Sequence, residues 1–176
     1  GYHLDGARLF NAMVENQSSP LEYGKMFNTI SICLSKGLGA PIGSLLLGSK
    51  ADIKKARRVR KIFGGGMRQV GYLANAGIYA LDYHIDRLKE DHDRARVLGK
   101  VLNEQHYVQE VLPVETNIVV GRLVENLGTE EFLKYLSGHG ILAVPFGPGQ
   151  IRFVLHLDIS NDQLSFVAEK LRSFTY

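Results

Sequence analysis

A lysine that leaves an apolar strand straight into a turn of glycine, alanine and proline carries the clearest chemical meaning in this sequence. The segment S-I-C-L-S-K-G-L-G-A-P-I-G-S, Ser31 to Ser44, puts Lys36 at that junction. Small neighbours let a flat ligand approach the backbone. The apolar strand behind the amine is expected to desolvate it. Burial of that kind penalises the ammonium form, lowers the pKa and favours the neutral amine that condenses with a carbonyl to a Schiff base. A surface lysine in a plain strand–turn–strand is the competing reading. A phosphate-cradling loop fits less well, because the Walker pattern places its glycines before the lysine and here they follow it.

A second segment, H-L-D-G-A-R, runs from His3 to Arg8. Asp5 stands at the end of a short strand, followed by a glycine that permits a turn. A carboxylate held there can pair with a pyridinium nitrogen and keep it protonated, so that the ring accepts electrons from a carbanion. The alternatives are a turn-forming Asp-Gly or a metal ligand. No second carboxylate or histidine follows at a ligand spacing, so no metal is expected. Asp5 and Lys36 close two successive strands, and open α/β sheets aim such strand ends into one crevice.

The elements around these residues can be read from pattern. Strands are expected at Y-H-L before Asp5, at Phe27 to Ser35 and at Gly43 to Ser49. The latter two are apolar without strict alternation, as in strands covered on both faces. A helix starts near Lys50 and ends at the G-G-G of 64–66. From Met67 to Glu104 the pattern is helical, with Ile78, Leu81, Ile85 and Leu88 on one face and Lys89–Asp93 and Glu90–Arg94 pairs on the wet side. After Gln105 the grammar changes. A strand from Thr116 to Leu123 precedes a helix from Thr129, whose first turn holds Glu130 and Glu131. Strands at Ile141 to Val144 and Ile151 to Leu157 flank a P-F-G-P-G turn. Ser160 and Gln163 then form a capping box ahead of Leu164, Val167, Ala168 and Leu171. The fold class is α/β. Residues 1–105 form part of a larger domain with connecting helices, and residues 106–176 form a small α/β lobe.

Composition narrows the partners. With 45% hydrophobic and 22% charged residues, the 176-residue chain can bury a core. The net charge is +3, and the densest basic run, Lys54 to Lys61, lacks interleaved aromatic residues. It reads as a solvated helix face, or as a patch toward a phosphate or a partner subunit, and not as a nucleic-acid site. The single cysteine, Cys33, sits in an apolar run, excludes an intrachain disulfide and fits a reducing, cytoplasmic compartment. No apolar stretch approaches the roughly 20 residues of a membrane span, so no membrane partner is expected. The first residues already read as a strand running into a polar turn, so no signal peptide is expected from them.

Several long strings, in order, carry a family resemblance. H-L-D-G-A-R-L-F-N-A, S-I-C-L-S-K-G-L-G-A-P-I-G-S and R-K-I-F-G-G-G-M-R-Q-V-G resemble the low-specificity L-threonine aldolases, fold-type I pyridoxal-phosphate enzymes related to the β-eliminating lyases. E-D-H-D-R-A (90–95) and I-R-F-V-L-H-L-D-I-S (151–160) match the same family. The resemblance implies a mostly parallel sheet domain, here incomplete, with a small C-terminal lobe. It implies pyridoxal 5'-phosphate held by Lys36 as Schiff-base lysine, Asp5 on the pyridine nitrogen and Arg8 near the cofactor hydroxyl and substrate carboxylate. Arg152 takes the position of a second carboxylate-binding arginine, and Lys61 and Arg68 resemble residues at a subunit boundary near the active site. The implied reaction is retro-aldol cleavage of a β-hydroxy amino acid, L-threonine or L-allo-threonine, to glycine and acetaldehyde. Family members carry a preceding part with the phosphate-binding loop and a histidine stacked on the cofactor ring. This N-terminal portion is therefore an expected partner, its histidine or a water the expected base, and a homodimer or homotetramer the expected assembly. A β-eliminating lyase or racemase of the same fold, or a non-catalytic oligomerisation fragment, are the alternatives.

Overall fold

A computed structural model describes residues 1–176 and divides into two compact units, Gly1–Leu88 and Lys89–Tyr176. The first unit is a three-stranded sheet with helices. Strands β1 (His3–Gly6) and β2 (Thr29–Cys33) pair in parallel, and β3 (Ser44–Gly48) adds antiparallel to β2. Helices α1 (Leu9–Asn16) and α2 (Pro20–Met26) connect β1 to β2, α3 (Lys50–Ile62) follows β3, and α4 (Gly71–Tyr83) closes the unit. The β1–β2 crossover is helical because Ser19 and Glu22 form a reciprocal capping box with Pro20 at the first helical position. Helix α1 sends Leu9 and Met13 onto Ile30 and Ile32 of β2.

Two expectations change here. β2 alternates, burying Ile30 and Ile32, but β3 is exposed along its length, with Leu45, Leu46 and Leu47 at 40%, 42% and 45%. Two-sided covering therefore holds for neither strand of this chain as read from the apolar run. The long helical stretch after Met67 is two helices, broken at 84–87, so Ile78 is exposed while Leu88 is fully buried.

In the second unit, α5 (Leu88–Asn103), α6 (Thr129–Gly138) and α7 (Asn161–Ser173) share one core with an antiparallel sheet of order β4-β5-β7-β6. The strands are β4 (Val108–Val111), β5 (Ile118–Leu123), β6 (Val144–Gly147) and β7 (Gln150–Val154). Leu102, Tyr107, Phe132, Ile151 and Leu171 are fully buried at its centre. The Ser160–Gln163 capping box starts α7, whose face buries Leu164, Ala168 and Leu171. The division falls after Leu88 and not near residue 105, because α5 lays Ala95, Leu98, Val101 and Leu102 into the C-terminal core. Arg94 anchors it there: its guanidinium pairs with Glu90 and the fully buried Asp91, each at 3.5 Å, and its Nε donates to Asn161 at the start of α7. Asp93 pairs with Arg96, at 3.0 Å.

Candidate active site

Because β1 and β2 run parallel, both end at the same edge of the sheet, with Asp5 in register with Ser31 and Gly6 with Ile32. The strands approach closely at that edge. A Cβ on Gly6 would lie 2.6 Å from the Ser31 carbonyl oxygen, a contact only glycine avoids. Asp5 is exposed, and its Oδ1 accepts from the Ala7 backbone N–H at 3.2 Å, which steadies the carboxylate over the turn. The chain then enters α1 through Arg8, a half-buried residue at the helix N-cap. Asp5 and Arg8 are thereby fixed to the carboxyl edge by a strand end and a helix start.

Lys36 follows β2 at the same edge, in a loop whose backbone is heavily tied. The Lys36 carbonyl accepts from Gly39, Leu34 accepts from Ala40, and the Leu34 N–H donates to Gly43, at 2.9, 3.0 and 2.9 Å. Gly39 and Gly43 take φ values of +70° and +125°, which a side chain would strain. Leu38 and Ala40 are buried with Leu34, Ala80 and Leu88. His84 Nδ1 donates to the Leu38 carbonyl at 2.6 Å, clamping the loop onto the end of α4. Gly37 packs tightly, since a Cβ there would meet Leu88 at 3.0 Å and the buried Asn11 at 3.3 Å.

The loop is therefore rigid while the Lys36 side chain itself is exposed. This corrects the expectation of a desolvated amine: within this chain the apolar strand lies behind the backbone, and nothing encloses the ammonium. His84 and Asn11 are the residues that sequence reasoning missed. Neither has a pattern of its own, and only the folded loop brings them against Gly37 and Leu38.

Arg152 belongs to the second unit, on β7, where Val120 of β5 and Val144 of β6 stand beside it in register. Its neighbours Ile151 and Phe153 point into the core, so Arg152 faces the other side of the sheet. Its guanidinium carbon lies 5.4 Å from the centre of the Phe146 ring, and its buried Nε has no hydrogen-bond acceptor in the chain. Lys61 and Arg68 are exposed, one in the last turn of α3 and the other in the segment between α3 and α4. The structure thus gathers Asp5, Arg8 and Lys36 at one sheet edge, and places Lys61 and Arg68 on no strand end.

Asp5 at the end of β1 and Lys36 in the loop after β2 follow two parallel strands to one sheet edge, and the fold is that of the fold-type I pyridoxal-phosphate enzymes. Solved structures share the fold. A threonine aldolase from Leishmania major superposes with a TM-score of 0.73 at 18% identity, over 97% of this chain and 50% of that one. A histidinol-phosphate aminotransferase from Clostridium acetobutylicum gives 0.65 at 16% identity, over 97% and 52%.

The β-eliminating lyase family model matches residues 1–125, and the chain belongs to that family. Among curated relatives, the low specificity L-threonine aldolase of Escherichia coli K12 is 43% identical over 174 residues, covering 98% of this chain and 50% of that protein. The low-specificity L-threonine aldolase of Candida albicans is 44% identical over 149 residues, covering 79% and 39%. The chain spans about half the length of the curated relatives it matches, and corresponds to their C-terminal part.

Proposed function

We propose that this chain supplies the C-terminal half of a pyridoxal-phosphate-dependent aldehyde-lyase that cleaves L-threonine or L-allo-threonine to glycine and acetaldehyde. The observation that carries this reading is the parallel register of β1 and β2, which sets Asp5 and Lys36 at neighbouring strand ends. The donor set suits the cofactor: an amine on a pinned loop for its aldehyde and a carboxylate for its ring nitrogen.

In this reading Lys36 would be the residue that holds the cofactor. Asp5 would keep the proton on the ring nitrogen, its carboxylate steadied by the Ala7 N–H. Arg8 stands near the cofactor hydroxyl, and Arg152 binds the substrate carboxylate, where a planar two-pronged donor gives orientation as well as charge. When bound, the cofactor ring accepts the electron pair released as the Cα–Cβ bond breaks. Lys61 and Arg68 would serve a neighbouring subunit's site in a dimer or tetramer.

The phosphate-binding part would come from an N-terminal half, and the base would be a histidine of that half or a water. The exposed apolar side chains of β3, together with Ile62 at 72% and Phe63 at 85%, support a covering partner of that kind. No helix is long and apolar enough to cross a membrane, and a cytoplasmic setting is the proposed one.

The family match favours β-elimination of another amino acid as a second reading. Product analysis separates the two. The enzyme assembled with its N-terminal half is expected to release acetaldehyde and glycine from threonine. Release of pyruvate from serine or cysteine, with no acetaldehyde from threonine, would establish the second reading instead.

A further inference from the structure

We infer that Phe146 is a positioning residue for Arg152, holding its guanidinium in the orientation that receives the substrate carboxylate. The inference rests on the proposed role of Arg152 as the carboxylate donor. Phe146 lies on β6, the edge strand beside β7, in register irregularity between Pro145 and Gly147. Val144 stands opposite Arg152, so alternation along β6 puts Phe146 on the same face as both.

The ring stays 53% exposed, so it adds little to the core, yet it sits 5.4 Å from the guanidinium carbon. That distance is within the range where an aromatic face attracts a cation. Arg152 meets this ring and no carboxylate of the chain, and its Nε is buried without an acceptor. A buried donor left open is costly unless a ligand completes it. The ring restricts the guanidinium without consuming any N–H, and leaves the donors for an incoming carboxylate. A lysine or glutamate partner in place of Phe146 would either repel the cation or occupy those donors.

The test uses the cofactor-loaded enzyme containing this chain and its N-terminal half, with Phe146→Leu, Phe146→Tyr and Arg152→Ala compared by threonine kinetics and by calorimetric binding of glycine. Phe146→Leu keeps bulk and removes the π face. It is expected to raise KM and weaken glycine binding by about threefold to tenfold, the scale of one exposed-to-desolvated cation–π contact, with kcat little changed. Phe146→Tyr should restore both, and Arg152→Ala should lose more than either. If Arg152→Ala weakens glycine binding and Phe146→Leu does not, the positioning role is overturned and the carboxylate reading stands. If neither variant alters KM or glycine binding, both fall. Loss of kcat alone in Phe146→Leu, with folding intact by circular dichroism and KM unmoved, also overturns the proposal.

Discussion

At Asp5, charge and shape can be separated by one atom. Asn keeps the acceptor for the Ala7 N–H and the same volume, but cannot hold a proton on a ring nitrogen. A hydrogen bond to a charged group contributes about 1.5–3 kcal/mol, so Asp5→Asn should lower kcat by roughly tenfold to a hundredfold, with thermal stability unchanged. Steady-state rates beside a melting curve check both halves of that statement. Tyr107 gives a prediction with a pH sign. Its ring is fully buried, its hydroxyl donates to the Leu171 carbonyl at 2.7 Å, and burial, reinforced by nearby Tyr135, pushes the phenol well above its ordinary range. A raised folded-state pKa means the contribution to stability is present below the phenol's ordinary pKa, about 10, and is lost as pH climbs beyond it. Tyr107→Phe should cost about 1 kcal/mol at neutral pH and should flatten the decline at alkaline pH, measured by denaturant midpoints from pH 7 to 11. At this scale the reactive types were legible, because a lysine followed by glycines and an Asp-Gly after a strand are local signals. The exposure of Lys36, the clamp from His84 and the ring over Arg152 were not, since each depends on residues distant in sequence. P-F-G-P-G reads as a turn from composition alone, whereas Val144 to Gly147 pair as an edge strand and carry Phe146 with them.

Helices and strands turn these residues into a site. The closeness of β1 and β2 at Gly6 is the element-scale feature on which the Asp5–Lys36 edge depends. Gly6→Ala would bring its methyl to 2.6 Å from a backbone oxygen that cannot rotate away, so the strands must separate. Overpacking of this type costs roughly 1–3 kcal/mol, and the displacement should reduce cofactor affinity along with stability; a fluorescence titration with pyridoxal phosphate and a thermal melt read the two. Helix starts set by side-chain caps, such as Ser160 with Gln163, and the basic helix after Lys50 were visible in advance because capping and periodicity are local physics. The α1–α2 crossover and β4 were not. The first is short and partly exposed, and the second alternates too briefly over Val108–Val111 to stand out from a loop.

At the scale of the whole chain there are two compact units: the first carries Asp5 and Lys36 at its sheet edge, and the second carries Arg152 on an antiparallel sheet. The division after Leu88 follows from where α5 buries its apolar face, a tertiary fact that a change of sequence pattern near residue 105 does not reveal. β3 is an apolar strand exposed along its length, with Leu45, Leu46 and Leu47 open. Lys36 is the residue proposed to hold the cofactor. Borohydride reduction of the enzyme assembled from this chain and its N-terminal half, with pyridoxal phosphate present, followed by peptide mapping, tests it directly. A phosphopyridoxyl group is expected on the peptide carrying Lys36, and its loss is expected in Lys36→Ala. A group fixed to Lys61 or any other lysine, or no labelled lysine at all, would contradict it.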